Sequence, residues 1–363
     1  MTVPDVCAWL GRPALAYPAF VVFGLLVGPL LRPEVGTLLQ EAGQIGFVLL
    51  LFEVGLEIDL PVARELRRPL AYVARWVLPQ YPVVFALARL AGLTWAEALV
   101  SAAAIGACSV GMAHGAWKHH AGLEGETRAF VLRVMVLLEV VAVVVLAVET
   151  AALGRGTSGW TIAAKLAGMA VVVYACSRLA VPLARLMQRV LERATHWRLH
   201  LVTLLVLVAC AIGDRLGLAG PKTAFFLGMF SSRVEHDGKS LEDYLAPISR
   251  RFLIPLFFLS LGTQVPLAML VSRAALLALV AAALLIAGRQ MLHARWAPTG
   301  GGPDTYLLFC PNFTLVALAA NSLLHGGETE PAAVAWLLLT GLFVTLIALL
   351  ALPRRAAEPA PAA

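Results

Sequence analysis

The chain has 363 residues, of which 60% are hydrophobic and 14% are charged, and its mean hydropathy is +0.83. A soluble domain is roughly 45–50% apolar and about 25% charged, so this composition excludes a soluble protein. The net charge of +6 belongs to loops rather than to a nucleic-acid surface, because no basic stripe alternates with aromatic residues. The composition therefore predicts an all-α polytopic membrane protein.

Hydropathy predicts about twelve transmembrane helices. Met1 to Pro13 has no basic region followed by an apolar one, so we expect no secretory signal ahead of the first span. Residues 354–363 form an Ala/Pro-rich tail in which we expect no regulatory domain. The predicted spans lie near 14–31, 43–60, 69–91, 94–116, 129–152, 160–183, 199–217, 220–233, 250–269, 271–295, 305–325 and 332–352.

Lys and Arg are distributed unevenly between the loops. The N-terminus, the even-numbered loops and the C-terminus carry roughly three times as many as the odd-numbered loops, and such an excess marks the cytoplasmic side. We therefore expect both termini in the cytoplasm.

Two pairs of segments resemble each other. Phe20–Leu25 is followed by Leu51–Leu60, and Phe225–Phe230 is followed by Phe257–Leu267. The pairs belong to spans one and two and to spans eight and nine, so the odd offset of seven spans predicts copies that face opposite ways. Inverted repeats are typical of secondary transporters with a site near the membrane midplane.

One acid lies deep in an apolar run. Glu139 stands past the middle of Ala129–Leu146, which is long enough to cross most of a bilayer as a helix. An ionisable group at that depth is costly and usually faces a protein interior or an aqueous cavity. The residues leave two interpretations open: a proton and cation site, or a carboxyl kept in a structural salt bridge or kept protonated.

Two spans contain helix-weakening stretches near mid-depth. Span four has Gly106–Gly111, and span eleven has Cys310–Thr314, in which Pro311 removes a backbone donor. If both helices unwind there, the freed carbonyls and half-helix ends can line a cavity. The alternative is that the small residues serve only close helix packing. Neutral ligands for a hard cation such as sodium would come from the carbonyl of Cys108 and from Ser109, Asn312 and Thr314.

Glu53, Glu57 and Arg289 are further charged residues inside predicted spans. Glu53 and Glu57 are four residues apart and share a helix face. We interpret Glu57 as mainly structural, and Glu53 either as a possible second acid or as a partner of Lys222 or Arg75. Arg289 needs a counter-charge or an aqueous cavity, unless its side chain extends to the cytoplasmic interface.

Three segments resemble signatures of the monovalent cation–proton antiporter superfamily, in its bacterial Kef-like and sodium–proton exchanger branch. Leu49–Leu60 resembles that family's second-span signature, Thr223–Gly228 its Gly-Ala-Phe-Leu-Ala-Gly motif, and Leu256–Gly262 its ninth-span signature. The resemblance runs from about Pro18 to Pro353.

The resemblance implies an inverted-repeat fold with two crossed broken helices, an elevator motion and a homodimer in the inner membrane of a bacterium. It implies a scaffold or dimer part at about 14–60 and 199–270, a core or transport part at about 69–152 and 271–352, and a linker helix at about 160–198. At the ion-binding position, Leu138-Glu139 stands where the family has a polar residue and Asp. Arg289 stands where the family has Lys or Arg, which makes Glu139 its implied charge partner.

The expected function is a secondary active transporter that exchanges sodium or potassium for protons through one buried carboxylate. The alternatives are an exporter of a small organic ion on the same scaffold, or a transport-dead membrane sensor or subunit. We expect no enzyme activity, no cofactor and no nucleic-acid partner, because no nucleophile–base pair, metal-ligand set or phosphate loop is present in the sequence. The five scattered cysteines also argue against a disulfide framework.

Overall fold

The computed structural model describes most of the chain, and nearly all of the described part is helical. Predicted span six, most of the predicted linker helix 160–198 and the tail 354–363 lie outside the described residues. The described residues are 7, 15–57, 67–118, 120, 122–152, 182, 185, 188–189, 198–215, 220–231, 235–236, 239–296, 301–325 and 330–352.

The helices follow the predicted spans closely. In the first half they are α1 (Ala16–Val27), a 3-10 turn (Gly28–Leu30), α2 (Pro33–Glu57), α3 (Arg67–Leu90), α4 (Trp95–Ile105), α5 (Val110–Lys118) and α6 (Gly125–Ala152). In the second half they are α7 (Arg198–Arg215), α8 (Gly220–Ser231), α9 (Leu241–Ile248), a π-helical turn (Ser249–Leu253), α10 (Ile254–Thr263), a 3-10 turn (Leu267–Val271), α11 (Arg273–Trp296), a 3-10 turn (Thr305–Phe309), α12 (Phe313–His325) and α13 (Pro331–Ala351). Strands β1 (Glu235–His236) and β2 (Lys239–Ser240) form an antiparallel pair between α8 and α9.

Two helices begin earlier than hydropathy predicts. Span two was predicted from residue 43, but α2 begins at Pro33, where a proline suits the first helical turn and Glu34 lies near the positive end of the helix dipole. Span nine was predicted from residue 250, but its helical path begins at Leu241 and passes through the π-helical turn. In both cases the helix begins with turns that contain polar residues, and hydropathy detects only the apolar segment that follows them. Seven helical segments in the described part are long and apolar enough to cross a membrane.

The described chain forms two compact units. The first unit comprises Met1–Leu25, Pro61–Leu153 and Val265–Ala363, and the second unit comprises Leu26–Leu60 and Gly154–Gln264. In the first unit, an aromatic cluster joins helices distant in sequence, since the rings of Tyr72 and Trp76 in α3 contact Phe309, and Tyr72 also contacts Phe130 of α6. This packing fixes the 3-10 turn Thr305–Phe309 against α3.

Helix α4 begins with a complete capping box. The Thr94 hydroxyl accepts from the Glu97 N–H at 3.3 Å, and the Glu97 carboxylate accepts from the Thr94 N–H at 2.7 Å. This arrangement satisfies two backbone donors that the start of a helix otherwise leaves free. The capping box therefore stabilises the beginning of α4. The end of the helix at Ile105 must have a different cause.

In the second unit, α2 packs against α8 and α10 through glycines. A Cβ at Gly55 would meet the carbonyl oxygen of Phe225 and, at 2.7 Å, the backbone N of Met229; a Cβ at Gly228 would meet the carbonyl oxygen of Phe52. Contacts of that length do not occur without movement of the backbone. Small residues of this kind let two helix backbones approach closely in a membrane protein.

We predict that Gly55→Ala lowers the stability of the protein by about 1–3 kcal/mol, because the added methyl group forces α2 and α8 apart. The measurement is thermal unfolding of the purified protein in detergent. Gly36→Ala is the matched control, since it lies on the same helix with open space around a Cβ. The control should unfold at the parent temperature or slightly above it; equal midpoints for both variants would contradict the close packing.

Candidate functional site

Two helices of the first unit are interrupted. Helix α4 ends at Ile105 and α5 begins at Val110, while the 3-10 turn ends at Phe309 and α12 begins at Phe313. Both predicted interruptions are therefore present, at 106–109 and at 310–312. In each, the residue before the second half-helix occupies the N-cap position, and the carbonyl oxygens of Ser109 and Asn312 accept from the first turns of α5 and α12.

The two interruptions are hydrogen-bonded to each other. The N–H of Ser109 donates to the carbonyl oxygen of Pro311 at 2.6 Å, and the Thr314 hydroxyl donates to the Ser109 hydroxyl at 2.7 Å. The Asn312 amide Nδ2 donates to the carbonyl oxygen of Ile105, the last residue of α4, at 2.7 Å. Each interruption thus supplies partners for backbone groups that the other leaves free.

A threonine of α13 holds Asn312 in place. The Thr345 hydroxyl accepts from the backbone N–H of Asn312 at 3.3 Å and donates to its Oδ1 at 3.4 Å. The sequence analysis did not identify Thr345, because it stands in an apolar run with no neighbouring polar residue. The same run also contains Thr340, so its residue type alone did not distinguish Thr345.

Arg289 of α11 is fully buried and faces carbonyl oxygens at both interruptions. Its Nη2 donates to the carbonyl of Ile105 at 2.6 Å and its Nη1 to the carbonyl of Cys310 at 3.3 Å. Its Nε donates to Oε1 of Gln80 in α3 at 2.7 Å. A positive charge is favourable at the C-terminal end of a helix, so the guanidinium stabilises the point at which α4 ends.

Glu139 of α6 lies at the beginning of α5. Its Oε2 accepts from the N–H of Val110, the first residue of α5, at 2.9 Å, and the residue is fully buried. A carboxylate is favoured there because the first N–H groups of a helix lack partners and carry the positive end of its dipole. The second oxygen, Oε1, is buried and has no hydrogen-bond partner among the described residues.

The implied ion pair between Glu139 and Arg289 is not present. Each side chain instead bonds the ends of interrupted helices: Arg289 donates to carbonyl groups, and Glu139 accepts from an N–H. The alternative in which Arg289 extends to the interface is also contradicted, because its side chain has no exposed surface. The sequence could not distinguish an ion pair from bonds to helix ends. The partners of both side chains at the helix ends are backbone groups, which every residue type carries.

Of the other candidate ligands, Cys108 is fully buried, and its thiol donates to the carbonyl of Leu308 at 3.3 Å. Ser109, Asn312 and Thr314 are likewise buried around the two interruptions. The structure therefore brings together five of the candidate residues: Cys108, Ser109, Glu139, Asn312 and Thr314.

The acids of span two lie elsewhere. Glu53 belongs to the second unit, where its carboxylate accepts from the Ser249 hydroxyl and, at 2.8 Å, from Nε of Arg250. The expected pairing with Lys222 or Arg75 is thus replaced by a pairing with Arg250 across 197 positions of sequence. Glu57 is the last residue of α2, and its side chain lies outside the described part of the chain.

Comparison with known proteins agrees with this architecture. The profile of the family described as "Sodium/hydrogen exchanger, transmembrane" matches residues 13–360. The chain belongs to this family. It is 23% identical over 266 residues to the probable Na(+)/H(+) antiporter GerT of Bacillus cereus, covering 72% of this chain and 70% of that protein.

Two proteins of Methanocaldococcus jannaschii are also similar to this exchanger-family chain. The probable Na(+)/H(+) antiporter 3 is 24% identical over 271 residues, covering 72% of this chain and 68% of that protein. The solved structure of the sodium proton antiporter MjNhaP1 at pH 8 aligns with a TM-score of 0.67 at 14% identity, covering 96% of this chain and 92% of that one. The exchanger-family chain thus has the fold of that antiporter and is a multi-pass membrane protein.

We predict that Arg289→Ala lowers the thermal unfolding temperature of the protein strongly. The Cys310 carbonyl and the Gln80 amide oxygen lose the donor that Arg289 supplies in a buried place, and the Ile105 carbonyl keeps only its bond from Asn312; each unsatisfied group costs about 1–3 kcal/mol. Arg295→Ala, on the same helix but exposed, is the control and should unfold as the parent does. If both variants unfold alike, Arg289 does not stabilise the interruptions.

Proposed function

We propose that the chain is a secondary active antiporter that exchanges a monovalent cation, Na+ or K+, for a proton at Glu139. Membership of the sodium/hydrogen exchanger family supports this class of function. The observation that carries the residue assignment is the Glu139 carboxylate itself, which is fully buried, held by one oxygen and unpartnered at the other.

A single carboxylate in this position suffices for exchange. The N–H of Val110 holds Oε2, so Oε1 is the oxygen to which either a proton or a cation binds. A buried unpaired carboxylate is costly, and either ion removes its charge. Because one acid carries one charge, we propose a one-for-one, electroneutral exchange.

Neutral oxygens close to Glu139 complete the proposed cation site. The hydroxyl groups of Ser109 and Thr314 are 2.7 Å apart, and Ser109 directly precedes Val110, whose N–H binds the acid. Hydroxyl and carbonyl oxygens suit a hard cation such as sodium. We assign Cys108, through its carbonyl oxygen, and Asn312 to the same site as further ligands.

The proposed carrier moves as an elevator. In this proposal the part at about 69–152 and 271–352, which contains Glu139 and both interruptions, is the transport part, and the part at about 14–60 and 199–270 is the scaffold through which two copies dimerise. The same proposal relates the two halves of the chain as inverted repeats with their interrupted helices crossed. It also places both termini in the cytoplasm of a bacterial cell, in agreement with the distribution of Lys and Arg.

Glu139→Gln is expected to abolish cation-driven proton movement. The amide oxygen can still accept from Val110, so the fold is kept while the exchangeable charge is lost. Glu139→Asp keeps the charge but shortens the side chain by about 1.5 Å, so transport should persist at a higher half-saturating cation concentration. The measurement is pH-gradient dequenching in proteoliposomes with sodium, potassium and lithium added in turn.

The control for the glutamate variants is Glu126→Gln, an exposed acid in the first turn of the same helix, which should transport as the parent does. Parent-like exchange by Glu139→Gln would overturn the mechanism. A parent that moves no monovalent cation would favour the transport-dead sensor or subunit, and proton release driven only by organic ions would favour the exporter.

Thr314→Val is expected to weaken cation binding without stopping transport. The substitution keeps the shape of the side chain but removes the hydroxyl that donates to Ser109. Loss of one ligand contact corresponds to a rise of about ten-fold in the half-saturating sodium concentration, at a similar maximal rate. Ser322→Ala on the same helix is the control, because its hydroxyl only bonds the carbonyl of Leu318. An unchanged half-saturating concentration in Thr314→Val would remove the hydroxyl pair from the cation site.

A further inference from the structure

Helix α6 carries a second acid, Glu149, which is partly buried and lies near the Ala152 end of the helix. Oε1 of Glu149 accepts a hydrogen bond from the Tyr81 hydroxyl of α3. Its other oxygen, Oε2, is buried and has no hydrogen-bond partner among the described residues. An unpartnered carboxylate oxygen in apolar surroundings is costly, so this oxygen favours the binding of a proton.

The Tyr81 hydroxyl has one proton and two acceptors within reach. They are Oε1 of Glu149 and the carbonyl oxygen of Leu99 in α4, at 3.3 Å. When Glu149 is ionised, Tyr81 donates its proton to the carboxylate. When Glu149 is protonated at Oε2, Oε1 becomes the neutral carbonyl oxygen of the carboxyl group and a weaker acceptor, and Tyr81 donates to Leu99 instead. The pair therefore has two hydrogen-bond arrangements that differ by one proton on Glu149.

A small cavity lies between Tyr81 and the interruption of α4. Its volume of about 30 Å³ is comparable to the volume of one water molecule. Apart from Tyr81, the side chains that line it are apolar, and apolar constrictions of this kind close a path by excluding water until they widen. Its lining residues are Val77, Tyr81, Ala102, Ala103, Gly106, Val141, Ala142 and Val145.

The cavity lies between the two acids of α6. Ala142 is one helical turn beyond Glu139, and Val145 is one turn before Glu149. Ten residues separate the acids, which is about 15 Å along a helix axis. The small side chains on α4 and α6 thus leave space beside the segment of α6 that lies between the two acids, and Tyr81, the partner of Glu149, lines this space.

No other described side chain pairs with Glu149. Helix α6 packs against α3, α4, α5 and α12, and Tyr81 is the group on them that contacts the acid. Arg89 of α3 donates to the carbonyl of Leu93, and Glu97 of α4 belongs to the capping box. The other titratable or charged groups on these helices are Arg67, Arg68, Tyr72, Arg75, His114, Lys118 and His325, the last with a side chain outside the described part.

We propose that the Tyr81–Glu149 pair is a second proton-binding site, through which protons pass between Glu139 and the membrane face at the Ala152 end of α6. The inference rests on the proposed function, because a relay to Glu139 requires a proton-coupled carrier. The proton moves from the solvent to Oε2 of Glu149, the Tyr81 hydroxyl turns from Glu149 to Leu99, and the release of the proton reverses both steps.

The first test is transport by Glu149→Gln in proteoliposomes. The amide oxygen still accepts from Tyr81, so the packing is kept while proton binding is lost. We expect the maximal rate of sodium–proton exchange to fall by about ten-fold or more, because a positioned proton carrier is removed. The half-saturating sodium concentration should stay near the parent value, since the Glu139 site is intact. Tyr81→Phe should give a smaller loss of about five-fold, the effect of one hydrogen bond.

The matched control is again Glu126→Gln, on the same helix and exposed, which should retain the parent rate. A parent-like maximal rate in Glu149→Gln would overturn the proposal. So would a rate that falls only because sodium binding weakens, since that result would make Glu149 part of the Glu139 site.

A second measurement does not depend on transport. Infrared difference spectra of the purified parent, recorded between low and high pH, should contain a carboxyl C=O band that is absent in Glu149→Gln and shifted in Tyr81→Phe. Identical spectra for the parent and Glu149→Gln would overturn the proposal. A parent without cation exchange would overturn the proposed function and the relay to Glu139, while this band would still decide whether Glu149 binds a proton with Tyr81.

Discussion

The arrangement of the first unit depends on one constraint: two helices are interrupted inside an apolar interior, where water cannot satisfy their backbone groups. An unpaired N–H or C=O in such a place costs several kcal/mol, so irregular backbone persists only where the protein supplies partners. Here the partners come from the other interruption, as Ser109 donates to Pro311 and Asn312 to Ile105. Neither interruption could exist in its present form without the other, and the pair behaves as one structural element.

The same constraint decides where the charges lie. Arg289 is buried against carbonyl groups at the ends of first half-helices, and Glu139 is buried against the first N–H of α5. A buried ion pair loses much of its Coulomb energy to desolvation, and breaking one leaves an isolated charge at a large cost. By bonding them to helix ends, the fold keeps Arg289 and Glu139 in its interior without binding them to each other.

Much of this fold could be predicted from the sequence, but the contacts at the site could not. The length of the apolar runs located the spans, and Pro311 and the glycines around Cys108 located the interruptions. Glu139 was identified because it lies deep inside an apolar run. These signals are local. The partners of Arg289 are backbone carbonyls 184 and 21 positions away, and the partner of Glu53 is 197 positions away. Backbone groups have no residue-type signature, and a single sequence does not show which distant residues meet.

The absence of an ion pair bears directly on exchange at a single acid. If Glu139 were bound to Arg289, a proton or cation could reach the carboxylate only by separating the pair and leaving a buried arginine alone. In this structure Arg289 bonds two carbonyl groups and Gln80, and none of these bonds involves Glu139. Leu138, buried where the family has a polar residue, adds no competing charge. In the proposed exchange, a proton or cation would therefore reach Oε1 without having to separate Arg289 from its partners, which is the condition that a one-carboxylate carrier requires.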